Sequence, residues 1–262
     1  MADKLPQVTI PDTEVRRLTA SLTGYEYHIH IALPAGYADT EKAYPTLYVL
    51  DPHLIFGMSR EIIRLLELGQ ELPPLVLVGI GFSGPNKDIE SHQVRDYVPK
   101  SQADDSGSGG AENFARFLRE DLIPFIGSEY RVDAEDTCFL GYSLAGLFGL
   151  YTLFHHPDTF LRYIISSPWM DPNDLQILSY ETEYAATHSD LPAQVFIGAG
   201  SREPEFVVNN LQKLEKALRI RNYPNFRLQT HIFENETHLS VVPHSISRGL
   251  KAVYSEEKKL KT

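Results

Sequence analysis

The run Asp136-Thr137-Cys138-Phe139-Leu140-Gly141-Tyr142-Ser143-Leu144-Ala145-Gly146 changes character in its middle. Residues 136–141 hold an apolar run of the kind found in strands covered on both faces, whereas 143–155 fit a helix. A strand that turns at once into a helix around Gly141-x-Ser143-x-Ala145 is the setting of a nucleophile elbow. The tight turn forces strained backbone angles on the serine. Small residues two places before and after it keep neighbouring backbones from clashing. Glycine is common at both places, so Ala145 is a mild departure; Gly146 keeps that side of the turn slim. Such a turn lifts the Ser143 hydroxyl clear of the sheet, at the positive end of the helix dipole. It also leaves the Leu144 amide free to donate to an oxyanion. A serine that merely caps a helix is the plainer alternative, and the strand before it and helix after it favour the nucleophile.

Working outward, the same alternation recurs. Upstream, Pro45 opens the apolar run Thr46-Leu47-Tyr48-Val49-Leu50, a helix is predicted over 58–69 (Met58, Ile62, Ile63, Leu65, Leu66), and Leu75 to Ile80 reads as another buried strand. A helix over about 111–127 carries Phe114, Phe117, Leu118, Leu122 and Phe125. Downstream come strands at 161–166, 194–197 and about 226–233, with helices at about 205–220 and 240–257. Strands alternating with helices predict an α/β protein with a mostly parallel twisted sheet and helices on both faces. Residues 14–33, turning at Thr23-Gly24, add an antiparallel N-terminal hairpin. The 262 residues suit a single domain, 1–262, with polar loop insertions at about 83–110 and 168–192 and no internal repeat.

Composition removes several classes of function. Net charge is -11, so an acidic surface faces any phosphate backbone and nucleic-acid binding is not expected. The basic tail Lys258, Lys259, Lys261 reads as a solvated end. No stretch approaches a membrane span, and Met1 to Gln7 has no apolar signal core, so a soluble, cytoplasmic protein is expected. The single cysteine, Cys138, excludes an internal disulfide, fits a reducing compartment and reads as a buried structural thiol. His28 and His30 share a strand face without further ligands, so no metal is expected there. The run Ser106-Gly107-Ser108-Gly109-Gly110 lacks the Gly-Lys-Ser/Thr ending of a phosphate cradle and reads as flexible loop.

A serine nucleophile needs a base, and histidine suits neutral pH. On this fold the chain order is serine, acid, histidine. His231 falls inside a strand and His244 inside the last helix, which leaves His238, in the loop after the final strand. His155 and His156 end the helix after the nucleophile, where a cation complements the dipole, and read as structural. The acid is expected after strand 194–197, where Glu203 and Glu205 compete. Pro204 suits the first turn of the next helix, which keeps Glu203 in the loop and makes Glu205 a first-turn carboxylate. Glu203 would hold the tautomer of His238 and stabilise its imidazolium.

Further blocks give the chain a resemblance to the putative-esterase family of α/β hydrolases, which includes enterochelin (trilactone siderophore) esterases and relatives of esterase D. They are Tyr44-Pro45-Thr46-Leu47-Tyr48-Val49-Leu50-Asp51, Leu72-Pro73-Pro74, Arg95-Asp96-Tyr97-Val98-Pro99, Gly109 to Phe114, Gly200-Ser201-Arg202-Glu203 and His238-Leu239-Ser240-Val241-Val242-Pro243. The resemblance covers nearly the whole chain. It implies the α/β-hydrolase fold and the set Ser143, Glu203, His238. It also implies a second oxyanion amide from His53, after Asp51-Pro52, where the family has Asp-Gly; proline lacks an amide hydrogen and fixes its own torsion. Tyr142 flanks the nucleophile and Trp169 matches a family aromatic after Ser-Pro. Phe56 and Arg95 are further candidates for the pocket wall, Arg95 as a partner for an anionic substrate.

The expected activity is hydrolysis of small to medium acyl or aryl esters through an acyl-enzyme, without metal or organic cofactor, and the partner is a small-molecule ester. A siderophore trilactone esterase or an acyltransferase is the alternative within enzymes. A catalytically inactive binding protein of the same fold is the alternative from another class. A nucleotide-binding protein finds no motif in support.

Overall fold

A computed structural model describes residues 9–83, 88–99, 109–170 and 176–255. It contains an eight-stranded sheet in the order β1-β2-β4-β3-β5-β6-β7-β8. The strands are β1 Thr13–Thr19, β2 Glu26–Ala32, β3 Tyr44–Leu50, β4 Val76–Phe82, β5 Val132–Tyr142, β6 Arg162–Ser166, β7 Gln194–Gly200 and β8 Arg227–Phe233. β1 and β2 are the predicted antiparallel hairpin, β2 also runs antiparallel to β4, and the strands from β4 to β8 are parallel. The connections reverse direction between β3 and β5. In an open α/β sheet that switch point is where the strand ends leave a crevice.

The helices are α1 Pro52–Leu68, α2 Ile89–Tyr97, α3 Ala111–Arg116, α4 Ile123–Glu129, α5 Leu144–His155, α6 Gln176–Thr187, α7 Glu205–Arg221 and α8 Val241–Tyr254, with a π-helical turn Phe117–Leu122 joining α3 to α4. They cover both faces, and period-two alternation divides each strand between them. In β3, Leu47 and Val49 pack with Ile55, Phe56, Ile63 and Leu66 of α1 and Val242, Ile246 and Leu250 of α8. Tyr48 and Leu50 turn to the other core, with Phe148 of α5 and Val207, Leu211 and Leu214 of α7. The sheet is therefore the floor of a site, and its carboxyl edge is where functional loops emerge.

Three expectations need correction. α1 starts at Pro52, six residues before the predicted helix at 58, because proline at the first helical position sacrifices only an amide that has no acceptor there. With that start, Met58 and Leu65 are exposed, and the buried stripe runs through Ile55, Phe56, Ser59, Ile63 and Leu66. The insertions at 83–110 and 168–192 are not plain loop: they contain α2 and α6. Pro204 precedes α7 as its N-cap and lies outside the first turn. The Gly/Ser run up to Ser108 and the lysine tail lie outside the described residues. Cys138 is fully buried, and burial pushes its thiol well up, as a structural thiol requires.

Candidate active site

The elbow forms as the sequence implies. Ser143 caps α5 with φ 58° and ψ −118°, a region that L-residues avoid. Two backbone bonds to the end of β6 and the segment after it hold it there: the Ser143 amide donates to the Ser166 carbonyl at 3.0 Å, and the Trp169 amide donates to the Ser143 carbonyl at 3.1 Å. Gly141 is required by space, since a Cβ there would stand 2.3 Å from the Ala145 carbonyl oxygen. The methyl of Ala145 is buried without exposure, so the departure from glycine is accommodated.

Glu203 and His238, the candidate acid and base, come from loops joined to each other. The Ser201 amide donates to the Phe233 carbonyl at 2.9 Å and the Arg202 amide to the Glu236 carbonyl at 2.9 Å, while the Asn235 amide donates to the Ser201 hydroxyl at 2.8 Å. A Cβ on Gly200 would lie 2.2 Å from the Glu236 carbonyl oxygen, so only glycine lets the loops after β7 and β8 meet. Glu203 and His238 are thereby brought together: His238 Nδ1 lies 2.6 Å from Glu203 Oε2, and His238 Nε2 lies 3.1 Å from Ser143 Oγ. Burial on its own would raise the Glu203 carboxyl. Hydrogen bonds from His238, from the Ser167 hydroxyl at 2.5 Å and from the Gly200 amide at 2.8 Å outweigh it and hold the group below its ordinary range. An ionised carboxylate only accepts, so Nδ1 carries a hydrogen and Nε2 is the ring atom that faces the serine hydroxyl.

Leu144 is the first residue of α5 and His53 the second of α1, so neither amide is reached by a carbonyl of its own helix. Pro52 takes the first helical position, where its missing amide has no acceptor to lose, and leaves the His53 amide in place. Asp51 takes the left-handed conformation (φ 54°) that the turn demands, and its carbonyl already accepts from Leu54 and Ile55. The Asp51 side chain is buried and accepts from the Tyr97 hydroxyl at 3.3 Å; burial pushes its carboxyl up.

The four pocket candidates divide. The Tyr142 ring lies 4.8 Å from the His238 ring, and burial together with the Glu203 charge pushes its phenol well up. Trp169 meets His238 edge-on at 5.7 Å and Phe206 at 5.1 Å, and stays 38% exposed, enough to touch a ligand. Phe56 is a correction: it is buried under α1 against Gly79 and 5.5 Å from His30, and serves the core. Arg95 is the other. Its guanidinium is bonded twice to Asp96 at 2.7 Å and lies 3.8 Å over the Tyr25 ring. It lines a separate cavity of about 210 Å³ with Thr23, Tyr27 and Asn113. His155 also departs from the sequence reading, since burial lowers its pKa and disfavours the cation that the helix dipole would reward; it stacks on Tyr151 at 4.1 Å. His156 pairs with Glu112 at 2.8 Å. Ser167 and Phe206 escaped the sequence reading. A serine before Pro168 at the end of a buried strand was the available signal for the first, and Phe206 offered none.

Among the described residues, no group of three or more His, Cys, Asp or Glu side chains is placed to hold a metal ion, and no helix is long and apolar enough to cross a membrane.

Sheet order, elbow and the Ser143–His238–Glu203 chain define an α/β hydrolase. The family model described as "Putative esterase" matches residues 20–240, and the chain belongs to that family. It is similar to the ferri-bacillibactin esterase BesA of Bacillus subtilis, 31% identical over 93% of this chain and 90% of the relative. It is also similar to the siderophore triacetylfusarinine C esterase of Aspergillus fumigatus, 25% identical over 98% of both chains. Among solved structures, the BES protein from Bacillus cereus superposes with a TM-score of 0.87 at 28% identity, covering 97% of this chain and all of that one.

Proposed function

We propose that this ester hydrolase works through a serine acyl-enzyme and that its substrates are siderophore esters. The hydrogen-bonded chain from Glu203 through His238 to Ser143 carries the mechanism. Ser143 Oγ attacks the ester carbonyl carbon as its proton passes to His238 Nε2. The resulting oxyanion is held by the amides of Leu144 and His53, which are preorganised at helix starts. The imidazolium, stabilised by Glu203, returns the proton to the leaving alkoxide. Water, deprotonated by His238, then attacks the acyl-enzyme and releases the acid. Every proton travels through His238, and no step calls for a metal.

The substrate class rests on the relatives, two of which are named for siderophore or ferri-siderophore ester cleavage across nearly the whole chain. Partly exposed Trp169, edge-on to His238 and backed by partly exposed Phe206, supplies an aromatic wall that suits an aryl or acyl ester. The deciding experiment compares nitrophenyl butyrate with cyclic siderophore esters, iron-free and ferric, for wild type and Ser143→Ala. Wild type is expected to cleave the siderophore esters with the higher kcat/KM, and Ser143→Ala to lose at least about 10³-fold on every ester with its circular dichroism unchanged. Activity retained by Ser143→Ala would end the mechanism; indifference to siderophore esters would end the substrate assignment.

A further inference from the structure

The segment from Ser166, the last residue of β6, to Trp169 touches every part of the Ser143–His238–Glu203 chain. Its Ser166 carbonyl accepts from the nucleophile's amide, and its Trp169 amide donates to the nucleophile's carbonyl. The Trp169 ring meets the His238 ring edge-on. Between these contacts, Ser167 is fully buried and donates its hydroxyl to Glu203 Oε1 at 2.5 Å. Its backbone has φ 46°, a left-handed conformation that costs a serine free energy, and its amide donates to the Gly198 carbonyl at 2.7 Å. Gly146 makes the close approach possible: a Cβ there would stand 3.1 Å from Pro168 Cα and 3.2 Å from the Ser166 carbonyl oxygen.

Glu203 has two oxygens with distinct duties. Oε2 faces His238 Nδ1, while Oε1 accepts from the Ser167 hydroxyl and the Gly200 amide. Fixing Oε1 from two directions fixes the carboxylate plane, and the plane sets where Oε2 lies. Sharing charge at Oε1 also moderates how strongly Oε2 attracts the imidazolium, so the bond reaches the base through the acid.

We propose that Ser167 is a positioning residue of the hydrolytic site, a donor that orients Glu203 and tunes the basicity of His238. This inference rests on the proposed serine mechanism. Without the hydroxyl, Glu203 swings more freely, and the charge it keeps falls more heavily on Oε2. The imidazolium is then stabilised and the neutral base forms only at higher pH.

The test measures kcat, KM and the pH profile of kcat/KM on nitrophenyl butyrate for wild type, Ser143→Ala, Ser167→Ala and Ser167→Gly. The glycine variant also removes the left-handed strain and so protects the fold. Ser143→Ala is included because its activity alone judges the underlying mechanism. With Ser143→Ala inactive, both Ser167 variants are expected to lose about tenfold or more in kcat, the scale of one hydrogen bond to a charged group. KM should stay within about twofold, because the lost bond does not touch the ester. The acid limb of the profile should move to higher pH. A wild-type kcat, a fall in kcat with the acid limb unmoved, a change confined to KM, or loss of fold in both variants would each overturn the assignment.

Discussion

Left-handed residues sit at both edges of the sheet, for different reasons. At the amino edge one, Asp12 (φ 57°), leads into β1, and two close helices: Gln70 (φ 56°) follows α1 and Asn222 (φ 51°) ends α7. There the conformation lets backbone amides reach the last helical carbonyls, as when Gln70 donates to Glu67 and Glu71 to Leu66. At the carboxyl edge they follow strands: Asp51 after β3, Ser143 after β5, Ser167 after β6 and Asn235 after β8. No helix end is completed by those angles except where a new helix begins. They turn the chain so that a hydroxyl, a carboxylate's partner or a histidine's loop reaches one point. Strain of the first kind satisfies backbone; strain of the second kind aims side chains. Cavity size does not draw the same line. A cleft of about 600 Å³ opens at the amino edge between Leu161, Pro192, Gln194 and Tyr254, and it holds no member of the Ser143–His238–Glu203 chain. Arg162 in its wall is already bonded to Asp136 and the Val253 carbonyl.

The largest effect is expected at His238. His238→Ala is expected to lower kcat/KM by about 10³-fold or more on any ester. The urea midpoint should fall as well, because the buried Glu203 carboxylate loses the donor that faces Oε2; steady-state kinetics beside a urea titration checks both halves. Next come the glycines that let the carboxyl-edge loops touch. Gly141→Ala and Gly200→Ala place a methyl 2.3 Å and 2.2 Å from carbonyl oxygens, so the backbone must shift. Each is expected to cost about 1–3 kcal/mol of stability, read by chemical denaturation, and to lower kcat through misplaced side chains.

A smaller effect follows from Glu203. The Glu203 carboxyl is held below its ordinary 4.5, so the stability it contributes is complete above that pH and is lost as pH falls through the lower native value. Wild type and Glu203→Gln should therefore differ in urea midpoint near neutrality and converge on acidification below about pH 4.5. A constant difference across that window would remove the linkage. The smallest effect belongs to the amino edge. Asn222→Gly should stabilise by no more than about 1 kcal/mol and leave the kinetics untouched. A loss of activity there would erase the distinction between the two kinds of strain.

The parts of the site legible in the sequence were those with local signatures. The elbow announces itself through Gly141, Ser143 and the change from strand to helix, and His238 through its place after the last strand. The missed helices hid their periodicity. α2 buries only Asp96 and Tyr97, so no apolar stripe marks it. α6 buries Ile177, Glu181 and Tyr184 at helical spacing, but the middle position is a carboxylate bonded to Arg221 at 2.7 Å, which reads as surface until the partner is seen. Phe56 and Arg95 were misplaced because a neighbour in sequence does not say which side of α1 or α2 faces the crevice.

Sequence alone determined what depends on near neighbours: the strands and their alternation, the helix that must follow Ser143, and the chemical types able to move a proton. Tertiary structure decided what depends on separation. Ser167 and Glu203 are 36 residues apart, Glu203 and His238 35, and Ser143 and His238 95. Only the parallel order of β5, β6, β7 and β8, which delivers four loops to one edge, brings them within hydrogen-bond reach.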